Sequence, residues 1–398
     1  MAKTYPVKWM SSSFRGAPQI DGSAGGGGYL AALYAFLITG FGESTALSVS
    51  VTDGVGTAVF PAGISFEYYS VVLFAGVTSP AQLNGEARIL SVSGSTVTFE
   101  TDAPNGVATG TITCRYAPVG GWDRPFYGTG KAVFKSIDPQ SPGFCLRVDD
   151  TGSNSARIRG YESMTDLDTG VNPFPTDAQI SGGGYQIKST VTTTAAIIYS
   201  LMADSRMLLT AISAGRPSAA TAISAPVRGF GDLIPLNPAG DPFCAAISCG
   251  AGGTVGTASF FSNGTFALAS SGADSIYAAR EMGGSAGAKA LTSFPFCGSN
   301  SLSGGDNTLG TFPSDVDGEL KYSRRYVPAS DGKTPRAIIP GVLHIPQSTV
   351  YGKIAHGDFV SGSGPFVNRK LMALATGTNS PPNVPTGVTL IDVTGPWR

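Results

Sequence analysis

Four kinds of residue in this 398-residue chain could do chemistry: clustered carboxylates, a glycine run ahead of an apolar segment, two histidines, and aromatic residues beside arginine. The carboxylates fall into three short groups, Asp149-Asp150, Asp166 with Asp168 and Gly170, and Asp315 with Asp317, Gly318 and Glu319. A calcium loop needs oxygen ligands at alternating positions over about 12 residues and a bidentate acid to close it. Each group offers two or three acids and completes no such loop. Asp beside Gly is also what an Asx-type turn requires without any cation. Asp123, Asp149, Glu162 and Asp166 could in principle pair across a sugar for glycoside hydrolysis. Their spacing alone sets no two of them opposite each other.

The run Gly25–Gly28 stands where a helix begins, and backbone N–H groups at a helix start attract anions. A nucleotide loop would add a Lys-Ser/Thr pair, which is missing here, so close backbone packing is the expectation. His344 and His356 are the two histidines, and neither GFGES (Gly40–Ser44) nor GDFVSGSG (Gly357–Gly364) forms a nucleophile elbow. His344 alternates with apolar residues in GVLHIPQ, as a strand residue would. Cys114, Cys145, Cys244, Cys249 and Cys297 are odd in number and lack zinc-ligand spacing, so free, mostly buried thiols are expected. A reducing cytoplasm suits their folding. No catalytic, cofactor-binding or metal-ligating residue is assigned, no cofactor is expected, and the expectation is a protein that is not an enzyme.

The aromatic set is more suggestive. Trp9, Phe14, Trp122, Phe126, Tyr127 and Trp397 stand near Arg15, Arg124 and Arg398 in loop-like or terminal stretches. Tyr, Trp and Arg dominate interface hot spots. The competing expectation is that they cap local cores.

Composition frames these residues. Lys and Arg (26) with Asp and Glu (27) together fall short of the 54 glycines. Charge is 13% of the chain against a usual quarter or so, while 42% is hydrophobic. A net charge of -1 leaves no basic footprint for nucleic acid. Surface so poor in charge gains little from self-repulsion and suits association. The start, MAKTYPVKWM, has no apolar run behind its lysines, so no cleaved signal is expected. The apolar stretch Tyr29–Phe41 is shorter than the roughly 20 residues needed to span a bilayer.

The elements that must position these groups read as mainly β, with several sandwich- or barrel-like modules and one short N-terminal helix. Leu30, Leu33, Tyr34, Leu37 and Ile38 share a helical face, and Ala31, Ala32 and Ala35 make the other face small, so burial on both sides is expected before a stop at Gly40 and Gly42. Alternation takes over with Ser70–Val77, with two strands of Ala87–Glu100 about Ser93-Gly94-Ser95, and with Gly106–Ala117. Ala117–Phe134 reads as a boundary, and Gly120–Gly130 as a contact loop. Strands follow at Gly143–Val148, Ala156–Tyr161, Ile197–Ala203 and Met207–Ser213, the last two about a loop at Ala203–Arg206. Asn263-Gly264 signals a further hairpin. Pro340, Pro346, Pro381, Pro382 and Pro385 suggest edges and loops. The chain closes on a strand with an exposed-looking Trp397-Arg398. The expected division is an arm and helix at 1–47, a small β module at 48–117, a sandwich-like domain at 118–240, and a Gly/Ser-rich β region at 241–398, the last two allowed to be one domain. No repeat of 20 to 50 residues recurs, against a solenoid or propeller.

Four stretches carry a family likeness: VKWMSSSFRGAPQIDGSAG with LITGFG, LNGEARILSVSGSTVTFE with ATGTIT, LRVDDTGSNSARIRGYESMTD, and VTLIDVTGPWR. They resemble a family of virion structural proteins of tailed bacteriophages, most densely before Phe174 and after Ile338. The resemblance implies a non-enzymatic tail, baseplate or neck component, made in the host cytoplasm and resident in the virion. It implies other virion proteins and further copies of this chain as partners, while charge and segment length lead us to expect no nucleic acid and no membrane span. A module binding host cell-surface glycan is the alternative, followed by a polysaccharide depolymerase or a capsid decoration protein.

Overall fold

The computed structural model describes residues 3–23, 25–214, 225–252, 274–284, 287–298, 306–376 and 387–398. The chain is mainly β, in three curled antiparallel sheets with one short helix. Asn263-Gly264, Pro381, Pro382 and Pro385 lie outside the described residues.

The small sheet has eight strands between Phe41 and Tyr116. Gly106–Val107 and Phe41–Thr45 are the two ends of its strand order, with Thr109–Tyr116 next to the latter. Gly106–Val107 leads directly into Thr109–Tyr116, and Ala108 N–H donates to Val49 O while Ala46 N–H donates to Ile112 O. These bonds draw the two ends together, so the sheet curls on itself. Val49, Val51, Ala58, Val97 and Phe99 alternate inward. The turn anticipated at Ser93–Ser95 joins Gly85–Ser93 to Thr96–Glu100, with Gly94 at φ 57°.

The large sheet has thirteen strands. Its main path starts at Lys8–Ser11, runs through Tyr199–Ala203, Met207–Ile212, Val227–Asp232 and Ala245–Gly250, and ends at Lys131–Ser136 and Trp122–Gly128. It therefore takes strands from the N-terminal arm and from both sides of residue 240. Its middle strands are buried at every position, because each face covers a different core. Leu201, Leu208, Phe230 and Ile247 face the helix and the small sheet. Met202, Leu209, Val227 and Ala246 face the third sheet. Two-sided burial is why IIYSLMA and MLLTAIS read as unbroken apolar runs.

The third sheet has seven strands, with Pro335–His344, Gly387–Asp392 and Lys370–Thr376 at its centre. Pro340 sits inside Pro335–His344, not at an edge or loop as its type suggested. Pairing with Ser323–Pro328 shifts register there, and Gly341 follows at φ 71°, so the proline occupies a bulge that needs no ladder donor.

The helix runs Gly28–Tyr34 and widens into a π turn, Ala35–Thr39, closed by Gly40 N–H on Ala35 O. Its buried face is Tyr29, Ala32, Leu33, Phe36 and Leu37, whereas Leu30, Tyr34 and Ile38 are half-buried and Ala31 is exposed. The expected face is thus rotated by one position, and the small face is buried at Ala32 and Ala35 but exposed at Ala31. The rings of Tyr29 and Phe36 take the inward positions, and the stripe keeps its three- and four-residue spacing into the π turn. Two further expectations change. Gly120–Gly130 is no loop but carries the strand Trp122–Gly128, bulged between Asp123 and Phe126 around Pro125. Trp397 is buried, at 8% exposure.

Candidate functional site

The glycine run does meet an anion, and the anion is internal. Asp150 Oδ2 accepts N–H from Gly27, Tyr29 and Leu30 at 2.8, 3.0 and 3.2 Å, while Lys188 Nζ donates to Oδ1. Both partners are sealed from solvent, Asp150 at 0% and Lys188 at 1% exposure. The carboxylate thus satisfies helix-start donors and the partial positive charge there. A Cβ on Gly26 would stand 1.2 Å from Asp150 O, so glycine is required for the approach.

The remaining carboxylates are committed in the same way. Asp149 accepts from Thr151 and pairs with Lys131 and Arg147. Asp166 accepts the N–H groups of Asp168 and Thr169, an Asx-type turn. Asp168 pairs with Arg147 and Lys131. Glu162 binds Arg280 through both oxygens and accepts from Asn172. Asp317 and Glu319 share Lys321. Asp123 accepts the N–H of Arg124. Among the described residues no group of three His, Cys, Asp or Glu side chains is placed to hold a metal ion. All five cysteines are free thiols, four of them buried, and burial pushes Cys244 up to about 12.

His344 closes a buried cluster at the end of Pro335–His344. Its Nε2 lies 2.6 Å from Asp306 Oδ2, and its Nδ1 lies 3.5 Å from Arg325 Nη1, which belongs to a guanidinium donating to Ser293. Burial, and then the Arg325 charge, pushes His344 below the ordinary imidazole range. Burial also pushes Arg325 down to about 9. A Cβ on Gly298 would collide with Asp306 and His344, so the cluster is packed shut.

The aromatic set divides. Trp122 is buried and donates Nε1–H to Asp204 O at 2.8 Å. Trp397 donates to Asp392 O at 2.8 Å and covers Gly341, where a Cβ would come within 2.3 Å of the indole. Arg398 binds the Asp204 carboxylate and Asp232 O. Arg15 donates to Gly42 O. Phe126 is half-buried beside Val133 and Cys145. Tyr127 is 66% exposed, and the Arg124 guanidinium lies 3.7 Å from the Tyr34 ring centroid and 4.1 Å from that of Tyr127. Tyr127 is thus the exposed member of an aromatic–arginine stack whose other two residues, Tyr34 at the end of the helix and Arg124, are half-buried, and among the described residues the strand carrying Arg124 and Tyr127 pairs on one side, with Lys131–Ser136.

Trp9 and Phe14 belong elsewhere, to a cleft of about 550 Å³ where all three sheets meet. Trp9 comes from the large sheet, Glu67 and Tyr68 from the small-sheet module, and His356 and Phe359 from the third sheet's region. Phe359 meets Trp9 at 5.5 Å and Tyr68 at 5.4 Å, both edge to face. Trp9 Nε1 donates to Tyr69 O at 3.3 Å, which fixes the indole. Tyr69 itself holds a left-handed φ of 61°, a turn that leaves its neighbour Tyr68 38% exposed. His356 Nδ1 accepts the Ala375 N–H at 3.2 Å, and burial pushes the ring down to about 4. Desolvation raises the carboxyl of Glu67. Sequence reasoning singled out Trp9 and Phe14 but not Glu67, Tyr68 or Phe359, and named His356 without a place. Nothing in their spacing could join positions 9, 67 and 359.

No protein-family model and no curated protein matches the chain.

Proposed function

We propose that the protein is a structural component of an assembled particle of the tailed-bacteriophage type its sequence resembles, at the tail or baseplate, working through protein–protein contact. The observation that carries this reading is the patch of Tyr34, Arg124 and Tyr127. Tyr and Arg are the residue types that anchor interfaces, and here the exposed Tyr127 is stacked on Arg124, itself stacked on Tyr34, before any partner arrives. Pre-stacking reduces the side-chain entropy lost on association. Pro125 and the bulge beside it disfavour simple strand addition, so side chains rather than a backbone ladder make the contact. A chain with 13% charged residues adds a surface suited to being covered.

The test is to express the tagged chain in cells producing the particle and to purify particles by density gradient. The tag should travel with the particle, and the Arg124→Ala/Tyr127→Ala double variant should be lost from it. Wild-type protein that never enters particles, and stays monomeric by mass photometry at every concentration, would overturn the proposal.

A further inference from the structure

The cleft at the meeting of the three sheets has a chemistry that assembly does not use, and the geometry points to a binding site for a neutral saccharide. Its volume, about 550 Å³, falls within the roughly 300–1,000 Å³ of small-molecule sites, and such sites pair apolar walls with a few placed polar groups. The walls are rings held at fixed angles: Phe359 stands at 65° to Trp9 and 88° to Tyr68. Rigid rings present flat apolar faces, suited to the C–H face of a sugar, at little entropic cost.

The polar groups narrow the ligand further. Among the described residues the lining contains no Lys or Arg to compensate an anion. Glu67 is matched to no described cation, in contrast to Asp149, Asp150, Glu162 and Asp168. Its carboxylate accepts hydrogen bonds and does not donate them. Gln19 spends its amide N–H on Ser12 O and Ala17 O, which leaves its carbonyl oxygen as an acceptor. His356, neutral and engaged at Nδ1, keeps its proton on Nε2 as a donor. Ser11, Ser12 and Ser13 add hydroxyls along the mouth. Two acceptors, one N–H donor and hydroxyls able to do either, set against aromatic walls, suit a ligand that carries several hydroxyls and an apolar face. A sugar ring has both. An organic cation would use Glu67 and the rings but leave the hydroxyl-lined side unmatched, and a proline-rich peptide would bring too few donors.

The experiment titrates the full chain with maltotriose, cellotriose, mannotriose and chitotriose, following tryptophan fluorescence and calorimetry in parallel. Choline chloride and a proline-rich peptide are the contrasting probes. At least one trisaccharide should bind saturably. Tyr68→Ala, at an exposed position, should melt like wild type yet bind at least about tenfold more weakly. Glu67→Gln, which keeps the shape, should bind about threefold to tenfold more weakly, as when one charged acceptor is lost. Should Tyr68→Ala misfold, Glu67→Gln alone decides. No saturable response to any trisaccharide, binding of choline or the peptide alone, or affinity unchanged in a folded Tyr68→Ala would each overturn the inference. Particle incorporation is measured separately, so this failure leaves the assembly proposal standing.

Discussion

The stretches Gly121-Trp122-Asp123-Arg124-Pro125 and Gly395-Pro396-Trp397-Arg398 use nearly the same residues, and the structure treats them in opposite ways. The terminal pair is tied down, with Trp397 buried and the side chain of the exposed Arg398 held by an ion pair. Trp397 lies over Gly341 with its N–H on Asp392 O, and Arg398 reaches Asp204 and Asp232. In the other stretch Trp122 is buried as well, against Asp204 O, but the half-buried Arg124 stacks on the rings of Tyr34 and Tyr127. Both regions thus end on the same hairpin turn, Ala203–Arg206, which offers one carbonyl to Trp122 and one carboxylate to Arg398. Among the described residues Arg124 makes no ion pair with a carboxylate and stacks on rings instead. A nearby acid, more than residue type, separates a latch from an exposed patch.

The sealed class has a second member at the helix start, and it gives the largest expected effect. Replacing Asp150 by Ala removes the acceptor of three helix-start N–H donors and leaves the buried Lys188 ammonium without its carboxylate. Breaking one side of a buried pair typically costs about 3–5 kcal/mol. Urea unfolding should show a loss of that size, and a double variant, Asp150→Leu with Lys188→Met, should recover part of it. A loss under about 1 kcal/mol would mean that the helix start is solvated rather than sealed.

Trp397→Ala comes next. The indole is a large buried group, and its removal should cost about 3 kcal/mol, at the lower end for an aromatic deletion because it lies near the surface. The same urea series measures it. If this variant is as stable as wild type, the terminal stretch is no latch, and the contrast with Arg124 collapses.

Acid tests the ground between sealed and open, where His356 lines the cleft. Burial holds its ring at about 4, whereas an unfolded histidine takes its proton near 6.5. As pH falls through that window the unfolded chain binds the proton first, so stability is present above about 6.5 and is lost on the way down to about 4. The loss by pH 5 should be about 2 kcal/mol from this residue. His344, also lowered by burial and by Arg325, acts in the same direction, so the share of His356 is read from His356→Gln. That variant should show a flatter fall in melting temperature between pH 7 and pH 5. An unchanged slope would place the titrating group elsewhere.

Much of the fold was legible because its signals are local. The Gly94 turn, the hairpin at Ala203–Arg206 and the β character of 48–117 follow from alternation and turn chemistry within a few residues. The helix was legible as a helix but not in its facing, since which of two adjacent apolar stripes points inward depends on the core packed against it. Pro340 misled because a proline inside a central strand requires a bulge, and the bulge depends on the register of neighbouring strands. Trp397 misled because terminal position suggests exposure, while the hole above Gly341 is made by a strand about fifty residues earlier. The cleft was illegible for the same reason at greater range. Trp9, Tyr68 and Phe359 meet only after three sheets have packed.

The smallest effect on stability should come from the exposed patch, and that smallness is itself informative. Tyr127 is 66% exposed, so Tyr127→Ala gives up little burial and should change unfolding by no more than about 0.5 kcal/mol. Arg124 would keep its contact with Tyr34, 3.7 Å from the ring centroid, so the strand should hold its place. A residue that the fold does not need can still dominate an interface, because hot-spot energy is gained when the aromatic ring is desolvated by a partner. Tyr127→Ala should therefore leave the melting temperature nearly unchanged and reduce incorporation into particles about tenfold, measured by quantitative blotting of gradient-purified material. Trp397→Ala should show the reverse balance, with stability falling first and incorporation only as far as folded protein is lost. If the two variants instead lose stability and incorporation in the same proportion, the patch serves the fold alone, and the distinction between latch and contact surface fails.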